Sequence, residues 1–358
     1  MRIAILGVGL IGGSIALAAR DRVEGAEVVG FDADPEALAA ARGRGVLDLG
    51  ARSVGEALEG AEVCFVCAPV GVIPDLVAEA LAEAREDCVV TDVGSTKRLI
   101  VASTDDERFV GGHPVAGAET AGVDHARGDL FEGAAWYLTP GERSSGLLYE
   151  RLHRLIVALR ARPVAIDAET HDRLLATVSH VPHVLANVLV SQAAQALSDE
   201  GEALPRTGPS FRDATRVAGA STRVWSDVYA TNAEAIAAEI DETIERLHDV
   251  ATALRAGDAG AIDTWNDAAG DDRRRLLEAE LTGGPVHELR VSVPNRPGIV
   301  AQVALSLGRA GVNITDLSLA PAPDMRSGAM TLWVSGDEAA ARAEHQIGQL
   351  GFPVAHVA

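Results

Sequence analysis

The chain opens on an unbroken apolar run, Ile3 to Leu6, which stops at Gly7 and gives way to small and apolar residues at helical spacing. A short continuous run closed by glycine is the mark of a strand buried on both faces of a parallel sheet. The same rhythm continues to about residue 165, with strands expected at 3–6, 27–31, 62–67, 88–91, 134–139 and 163–166. Pro35 suits the first turn of a helix over 35–42. Strand and helix alternating over this length predict a doubly wound α/β Rossmann domain at 1–167.

From 168 to 282 the strand pattern vanishes. Ala, Leu and Val recur at helical spacing across 169–198, 222–256 and 258–281, broken by Pro205, Gly208 and Pro209 with a short helix around 210–218. Helices with so much apolar face pack on each other and often on a second subunit, so an all-α dimerisation domain and a homodimer are expected. Gly283-Gly284-Pro285 reads as a linker. Beyond it, 286–358 offers a strand at 287–293, a helix at 298–310, strands at 312–319 and 328–334, a helix at 337–350 and a strand at 352–357. That βαββαβ order is the ferredoxin-like arrangement.

Composition then removes several function classes. With 47% apolar and 23% charged residues among 358, the chain is globular in character. A formal charge of −21 argues against nucleic acid as a partner, because phosphate binding needs a basic surface. An anionic substrate must therefore be drawn in by a local cluster of positive charge. No apolar stretch approaches the roughly 20 residues of a membrane span, so no membrane partner is expected. The first strand leaves no room for a cleavable signal, and cytoplasmic residence is expected. Cys64 and Cys67 fall on one strand and point to opposite faces, so Cys64, Cys67 and Cys88 read as small buried side chains. Lys97 is the only lysine in the chain and sits in a strand-to-helix loop, which invites a functional reading.

The candidate chemistry begins at the first turn. Gly7, Gly9 and Gly12 form a GxGxxG pattern: a tight turn, a close approach to pyrophosphate, and close packing of helix on strand. The backbone of Gly7-Val8-Gly9-Leu10-Ile11-Gly12 would then present helix N-terminal N–H groups to the phosphates. Asp32, 20 residues after Gly12, closes the second strand and suits the ribose hydroxyls. Ala33 and Asp34 follow it with no Arg to receive a 2′-phosphate, which favours NAD over NADP. Ala68 and Pro69 follow the third strand at the carboxyl edge where ligands collect.

Ser95 lies at that same edge, either as an active-site contact or as the cap of a helix at 96–102. His113, between Gly111-Gly112 and Pro114, reads as a histidine held by rigid flanks, and imidazole accepts a proton near neutral pH. A loop histidine is also commonly solvated and inert. His180 and His183 share a helical face beside Pro182, which is expected to kink the helix. No third ligand with fitting spacing appears and HExxH is absent, so metal is set aside. Arg212 and Arg216, four residues apart on a helix, suit either a carboxylate clamp or a surface ion-pair face with Asp213.

Taken together these motifs resemble the prephenate/arogenate dehydrogenase family of tyrosine biosynthesis over nearly the whole chain. The segments are 9–14, 92–97, Gly111-Gly112-His113-Pro114-Val115-Ala116-Gly117, Ser179-His180-Val181-Pro182-His183, and Phe211 to Arg216. The tail, with Asn295 to Gly298 and Gly311-Val312-Asn313, looks like an ACT domain. The resemblance implies NAD-dependent oxidative decarboxylation of prephenate to 4-hydroxyphenylpyruvate, or arogenate as the alternative substrate. By analogy His113 receives the proton of the C4 hydroxyl and Ser95 orients that hydroxyl. His183 lies near the ring or nicotinamide, and Arg216, with Arg212 behind it, holds a carboxylate. Asp172, His180 and Glu119 organise this shell, and an amino-acid effector, tyrosine or another aromatic, is implied near Asn295, Gly298 and Asn313.

Two departures touch the pocket: Ala118 stands before Glu119 where relatives carry Ser or Thr, and 218–225 lacks their Ser-Asp-Pro spelling. Competing readings fare worse. A β-hydroxyacid dehydrogenase relies on a lysine in a long helix, whereas Lys97 lies in a loop. A silent NAD and amino-acid sensor has no need of Ser95, His113, His183 and Arg216 together.

Overall fold

Side chains alternate along a strand, so Ile3 and Ile5 of β1 (Arg2–Leu6) enter one core while Ala4 and Leu6 enter another on the opposite face. Strand β4 (Val63–Val66) repeats the division: Val63 and Phe65 go one way, Cys64 and Val66 the other. Cys67, just beyond, packs against the first core, so it and Cys64 are on opposite faces, and all three cysteines are free. The remaining strands are β2 (Glu27–Phe31), β3 (Leu49–Gly50), β5 (Val89–Asp92), β6 (Phe109–Pro114), β7 (Ala135–Pro140) and β8 (Arg162–Ala165). They form one eight-stranded sheet in the order β3-β2-β1-β4-β5-β6-β7-β8. Strands β1 to β6 run parallel, and β7 turns antiparallel to β6.

Helices α1 (Leu10–Arg22), α2 (Pro35–Gly43) and α6 (Gly146–Ala158) supply Ile15, Ala41 and Leu152 to one face. Helices α3 (Val54–Leu58), α4 (Ile73–Glu83) and α5 (Arg98–Ala102) supply Leu58, Val77 and Ile100 to the other. The strand order reverses between β1 and β4, which opens a crevice at their carboxyl ends.

This computed structural model describes residues 1–117, 120–141, 143–199, 207–280, 285–294, 299, 302–303, 306–307, 310–312, 314–322 and 326–357. By packing they divide into two units, Met1–Ile244 and Glu245–Ala358.

Strands β3 and β6 lie outside the runs expected from the sequence. Gly111 and Gly112 look like a turn because they interrupt the apolar alternation, yet both are strand residues. A Cβ on Gly111 would lie 2.2 Å from Thr139 Oγ1, and one on Gly112 2.6 Å from the Asp92 carbonyl oxygen. Crowding by neighbouring strands, not turn geometry, calls for glycine here.

The first unit continues through α7 (Ala168–Leu175), a π-helical turn at Ala176–His180, α8 (Val181–Asp199), α9 (Pro209–Ala214), α10 (Thr222–Thr231) and the first half of α11 (Ala233–Ala256). The irregularity expected beside Pro182 is thus the π turn just ahead of it, a device frequent at functional sites. By length and composition the stretch Ala168–Ala196 is apolar enough to cross a membrane, contrary to the residue count above. The buried His171, Asp172 and His180 interrupt its apolar run and are hydrogen-bonded within the protein. Val178 and Val188 on this stretch are more than half exposed.

In the second unit α12 (Ala259–Glu280) packs on β9 (Val286–Pro294). Leu254, Trp265 and Leu276 on its helices are more than half exposed. Strands β10 (Ile314–Pro321), β11 (Ser327–Ser335) and β12 (Val354–Val357) join β9 in the order β10-β11-β9-β12, every pair antiparallel, with α13 (Asp337–Gln349) against them. This is the ferredoxin-like sheet. Leu289, Val291 and Val293 of β9 alternate into a core with Val303, Met330, Leu332 and Ile347. Much of the helix expected at 298–310, and Asn295, Gly298 and Asn313, lie outside the described residues.

Candidate active site

Three parallel strands deliver the candidate groups to one edge. β1 ends at Gly7, whose φ of +101° is a conformation glycine adopts without strain, and a Cβ there would lie 2.2 Å from the Cys67 carbonyl oxygen. Gly12 is equally confined, because its Cβ would sit 2.1 Å from the Gly7 carbonyl oxygen. Gly9 differs: a Cβ there would meet nothing within 4 Å, and its backbone begins α1. The open side of the loop is therefore at Gly9, beside the unbonded first-turn N–H groups of α1, including those of Leu10 and Ile11. Asp32, past the end of β2, accepts the Val8 N–H at 2.7 Å and the Asp34 N–H at 2.9 Å. It thus holds the glycine loop while remaining partly exposed. Ala68 and Pro69 flank the same crevice from β4, the first half-buried and the second exposed. A dinucleotide fits this donor set: an open helix N-terminus for pyrophosphate and a carboxylate at the end of β2 for ribose.

The next parallel strand, β5, ends in Asp92, which is fully buried. Its carboxylate accepts the Gly94 N–H at 2.8 Å and the Gly112 N–H at 3.0 Å, and pairs with the Lys97 ammonium. Burial pushes the Lys97 pKa down, and the Asp92 charge opposes that shift. Ser95 lies in the bend between them, half-buried and with no hydrogen-bond partner among the described residues. The helix expected at 96–102 begins only at Arg98, so Ser95 is not its cap. The cap comes from elsewhere: Asp172 of α7 accepts the Lys97 N–H at 2.6 Å and the Arg98 N–H at 2.9 Å.

His113 occupies β6 near its carboxyl end, opposite Tyr137 of β7, and is 8% exposed. It is a strand residue and not the loop residue that its flanks suggest. Its Nδ1 lies 2.9 Å from His171 Nε2, and His171 Nδ1 lies 2.8 Å from Asp172 Oδ1. Burial, reinforced by His171, Lys97 and His180, holds the His113 pKa well below the usual 6.5. The imidazole is therefore neutral at ordinary pH, with one ring nitrogen carrying a lone pair.

His180 and His183 both meet Trp225 of α10. The His183 ring stacks on the indole at 3.5 Å and the His180 ring meets it edge-on at 5.9 Å. His180 is buried, and its Nδ1 lies 3.2 Å from Asn232 Nδ2, which also donates to the Asp172 carbonyl at 2.8 Å. Burial pushes the His180 pKa down to about 4 against the pull of Asp172. His183 is lowered as well, by burial and by the nearby Arg216 guanidinium, while its bond to the Ser179 carbonyl opposes the shift. Helix α9 ends at Ala214, so Arg212 and Arg216 do not share a helical face. Arg212 donates to the Thr207 carbonyl at 3.0 Å, whereas Arg216 lies in the following turn toward His183. Glu119 and the preceding Ala118 are outside the described residues.

Sequence reasoning passed over His171, Tyr137, Trp225 and Asn232. His171 sits next to Asp172, but a helix-interior histidine carries no sign of what its ring will meet. Lys97 lies in the loop before α5, as its position in the sequence suggests, with its side chain buried against Asp92.

Comparison with known proteins adds the following. Residues 15–165 match the family described as "Prephenate dehydrogenase, nucleotide-binding domain", and residues 167–265 match "Prephenate dehydrogenase, dimerization domain". Residues 289–351 match "AHAS small subunit-like ACT domain". The chain is 31% identical over 352 residues to the prephenate dehydrogenase of Bacillus subtilis, covering 96% of this chain and 95% of that protein. It is 31% identical over 262 residues to the cyclohexadienyl dehydrogenase of Zymomonas mobilis, covering 72% and 89% respectively. Among solved structures, the A. aeolicus prephenate dehydrogenase in complex with hydroxyphenyl propionate and NAD+ superposes with a TM-score of 0.72. That match has 26% identity and covers 76% of this chain and 97% of the other.

Proposed function

The chain belongs to the prephenate dehydrogenase family, and from that premise we propose that it converts prephenate to 4-hydroxyphenylpyruvate, CO2 and NADH by oxidative decarboxylation. The observation that carries this reading is His113: a buried, neutral imidazole on the strand next to β5, at the carboxyl edge that also bears the glycine loop. NAD, when bound, supplies the hydride acceptor. Gly7 to Gly12 and Asp32 would hold it, with Ala68 and Pro69 along the crevice.

His113 takes the proton of the C4 hydroxyl as that carbon becomes a carbonyl. Ser95, whose hydroxyl has no partner among the described residues, orients the same group. Arg216 binds a substrate carboxylate in an otherwise acidic chain, and the His183–Trp225 stack walls the ring. Loss of the carboxylate as CO2 completes the aromatic ring, which drives the reaction forward.

The apolar side chains exposed on α8 and α12 support association through the helical region, and the assembly proposed is a homodimer. The C-terminal ferredoxin-like module supports an amino-acid effector site, to be tested by tyrosine sensitivity with and without residues 286–358. Cytoplasmic residence belongs to the same reading and agrees with three free cysteines. NADH formation with purified chain, supplied separately with prephenate and arogenate, tests the activity. The expected result is faster turnover of prephenate; turnover of arogenate alone moves the assignment to that substrate, and neither removes it.

A further inference from the structure

We propose that His171 is a positioning residue that fixes the tautomer of His113, holding the proton on Nδ1 and leaving the lone pair of Nε2 as the base. This rests on the reading of His113 as the proton acceptor, but its geometry stands independently.

A chain of hydrogen bonds runs from Asp172 through His171 to His113. The Asp172 carboxylate accepts two backbone N–H groups, from Lys97 and Arg98, at the start of α5. An ionised carboxylate has no proton to give. The 2.8 Å contact between Asp172 Oδ1 and His171 Nδ1 is therefore donated by His171. In a neutral His171 the other nitrogen, Nε2, is then an acceptor. His113 Nδ1 lies 2.9 Å from it and must donate. One nitrogen of a neutral imidazole carries the proton and the other a lone pair, so His113 Nε2 is left bare.

All three side chains are buried, so bulk water does not compete for these bonds. Among the described residues no other group around His113 supplies an alternative acceptor: Tyr137 meets His171 edge-on at 5.4 Å, and the Lys97 ammonium is engaged by Asp92. When His113 Nε2 takes the substrate proton, the Nδ1–H bond to His171 persists. The new positive charge then lies one imidazole away from the Asp172 carboxylate.

The test reads the tautomer directly. Full-length chain with 15N-labelled histidine is examined by long-range 1H–15N correlation at pH 8 without substrate, with His113→Asn used to assign the signal. A His113 ring carrying its proton on Nδ1 supports the proposal; a proton on Nε2 overturns it, with no variant of His171 required. Two variants add the kinetic arm. His171→Leu removes the acceptor and is expected to lower kcat by about 10²-fold, the scale of a misaligned general base, with KM for prephenate within about threefold. His171→Gln, which retains an acceptor and a donor, is expected to recover at least tenfold of that loss. Wild-type turnover in His171→Leu overturns the proposal. If the wild-type protein carries the Nδ1 proton yet oxidises neither prephenate nor arogenate, the tautomer assignment stands and the functional reading falls.

Discussion

The ammonium of Lys97 meets the carboxylate of Asp92 with neither side chain exposed to solvent. Asp92 also holds the Gly94 and Gly112 N–H groups, so this one ion pair joins the end of β5 to the strand that carries His113. Removing one partner of a buried pair leaves an uncompensated charge and costs about 3–5 kcal/mol. Lys97→Met is therefore expected to lower the melting temperature by roughly 10 °C, taking ~2–4 °C per kcal/mol for a domain of this size. Turnover should fall as well, because Gly112 precedes His113. Thermal melting followed by circular dichroism checks the first effect, and an unchanged melting temperature removes the structural role given to the pair.

The glycine loop separates folding from binding. Gly12→Ala places a methyl group 2.1 Å from the Gly7 carbonyl oxygen, where backbone cannot yield cheaply, so this variant should be strongly destabilised. Gly9→Ala meets nothing and its φ of −86° suits alanine. It should melt like the wild type yet bind NAD at least about tenfold more weakly, since the methyl group occupies the approach used by pyrophosphate. Calorimetric titration with NAD reads the difference. Normal NAD affinity in a folded Gly9→Ala protein would place the cofactor elsewhere.

Much of this was legible in the sequence, and the gaps have physical causes. The turn at Gly7 and the acid at Asp32 are local: a strand, a turn and a helix in register suffice to specify them. Strand β6 was hidden because Gly111 and Gly112 lack the side chains that signal a strand, and their reason is crowding by Thr139 and Asp92 from neighbouring strands. His171 belongs to α7 and meets His113 from 58 residues away. Nothing within either segment encodes that encounter. The Arg212–Arg216 pairing failed as a helical face because α9 stops at Ala214, and helix ends are poorly marked where no glycine or proline follows at once.

Acid sensitivity follows from the two buried histidines. His113 and His180 both titrate below the ordinary 6.5 in the folded chain, His180 at about 4, chiefly through burial. The unfolded chain takes up these protons first as pH falls. The folded state binds fewer protons below pH 6.5, so its stability rises with pH there. Stability is complete above about pH 6.5 and declines as pH drops toward 4. Melting temperatures at a series of pH values should show this, and His180→Gln should flatten the slope. In kinetics, the acid limb of kcat/KM belongs to the base and should lie below 6.5. A limb above that value would mean another group takes the proton.

Arg216 offers the sharpest separation of binding from chemistry. Its guanidinium lies near enough to His183, which stacks on Trp225, to lower that histidine's pKa. A charge-assisted bond to a carboxylate contributes about 1.5–3 kcal/mol, which corresponds to roughly 10–150-fold in affinity. Arg216→Ala should raise KM for prephenate within that range, leave KM for NAD within about twofold, and lower kcat less than it raises KM. Arg216→Lys should recover only part of the loss, because an ammonium cannot form two parallel bonds to one carboxylate. Arg212, committed to the Thr207 carbonyl, should tolerate alanine with a much smaller change in KM. If KM is unchanged in Arg216→Ala and raised in Arg212→Ala, the carboxylate anchor belongs to the other arginine.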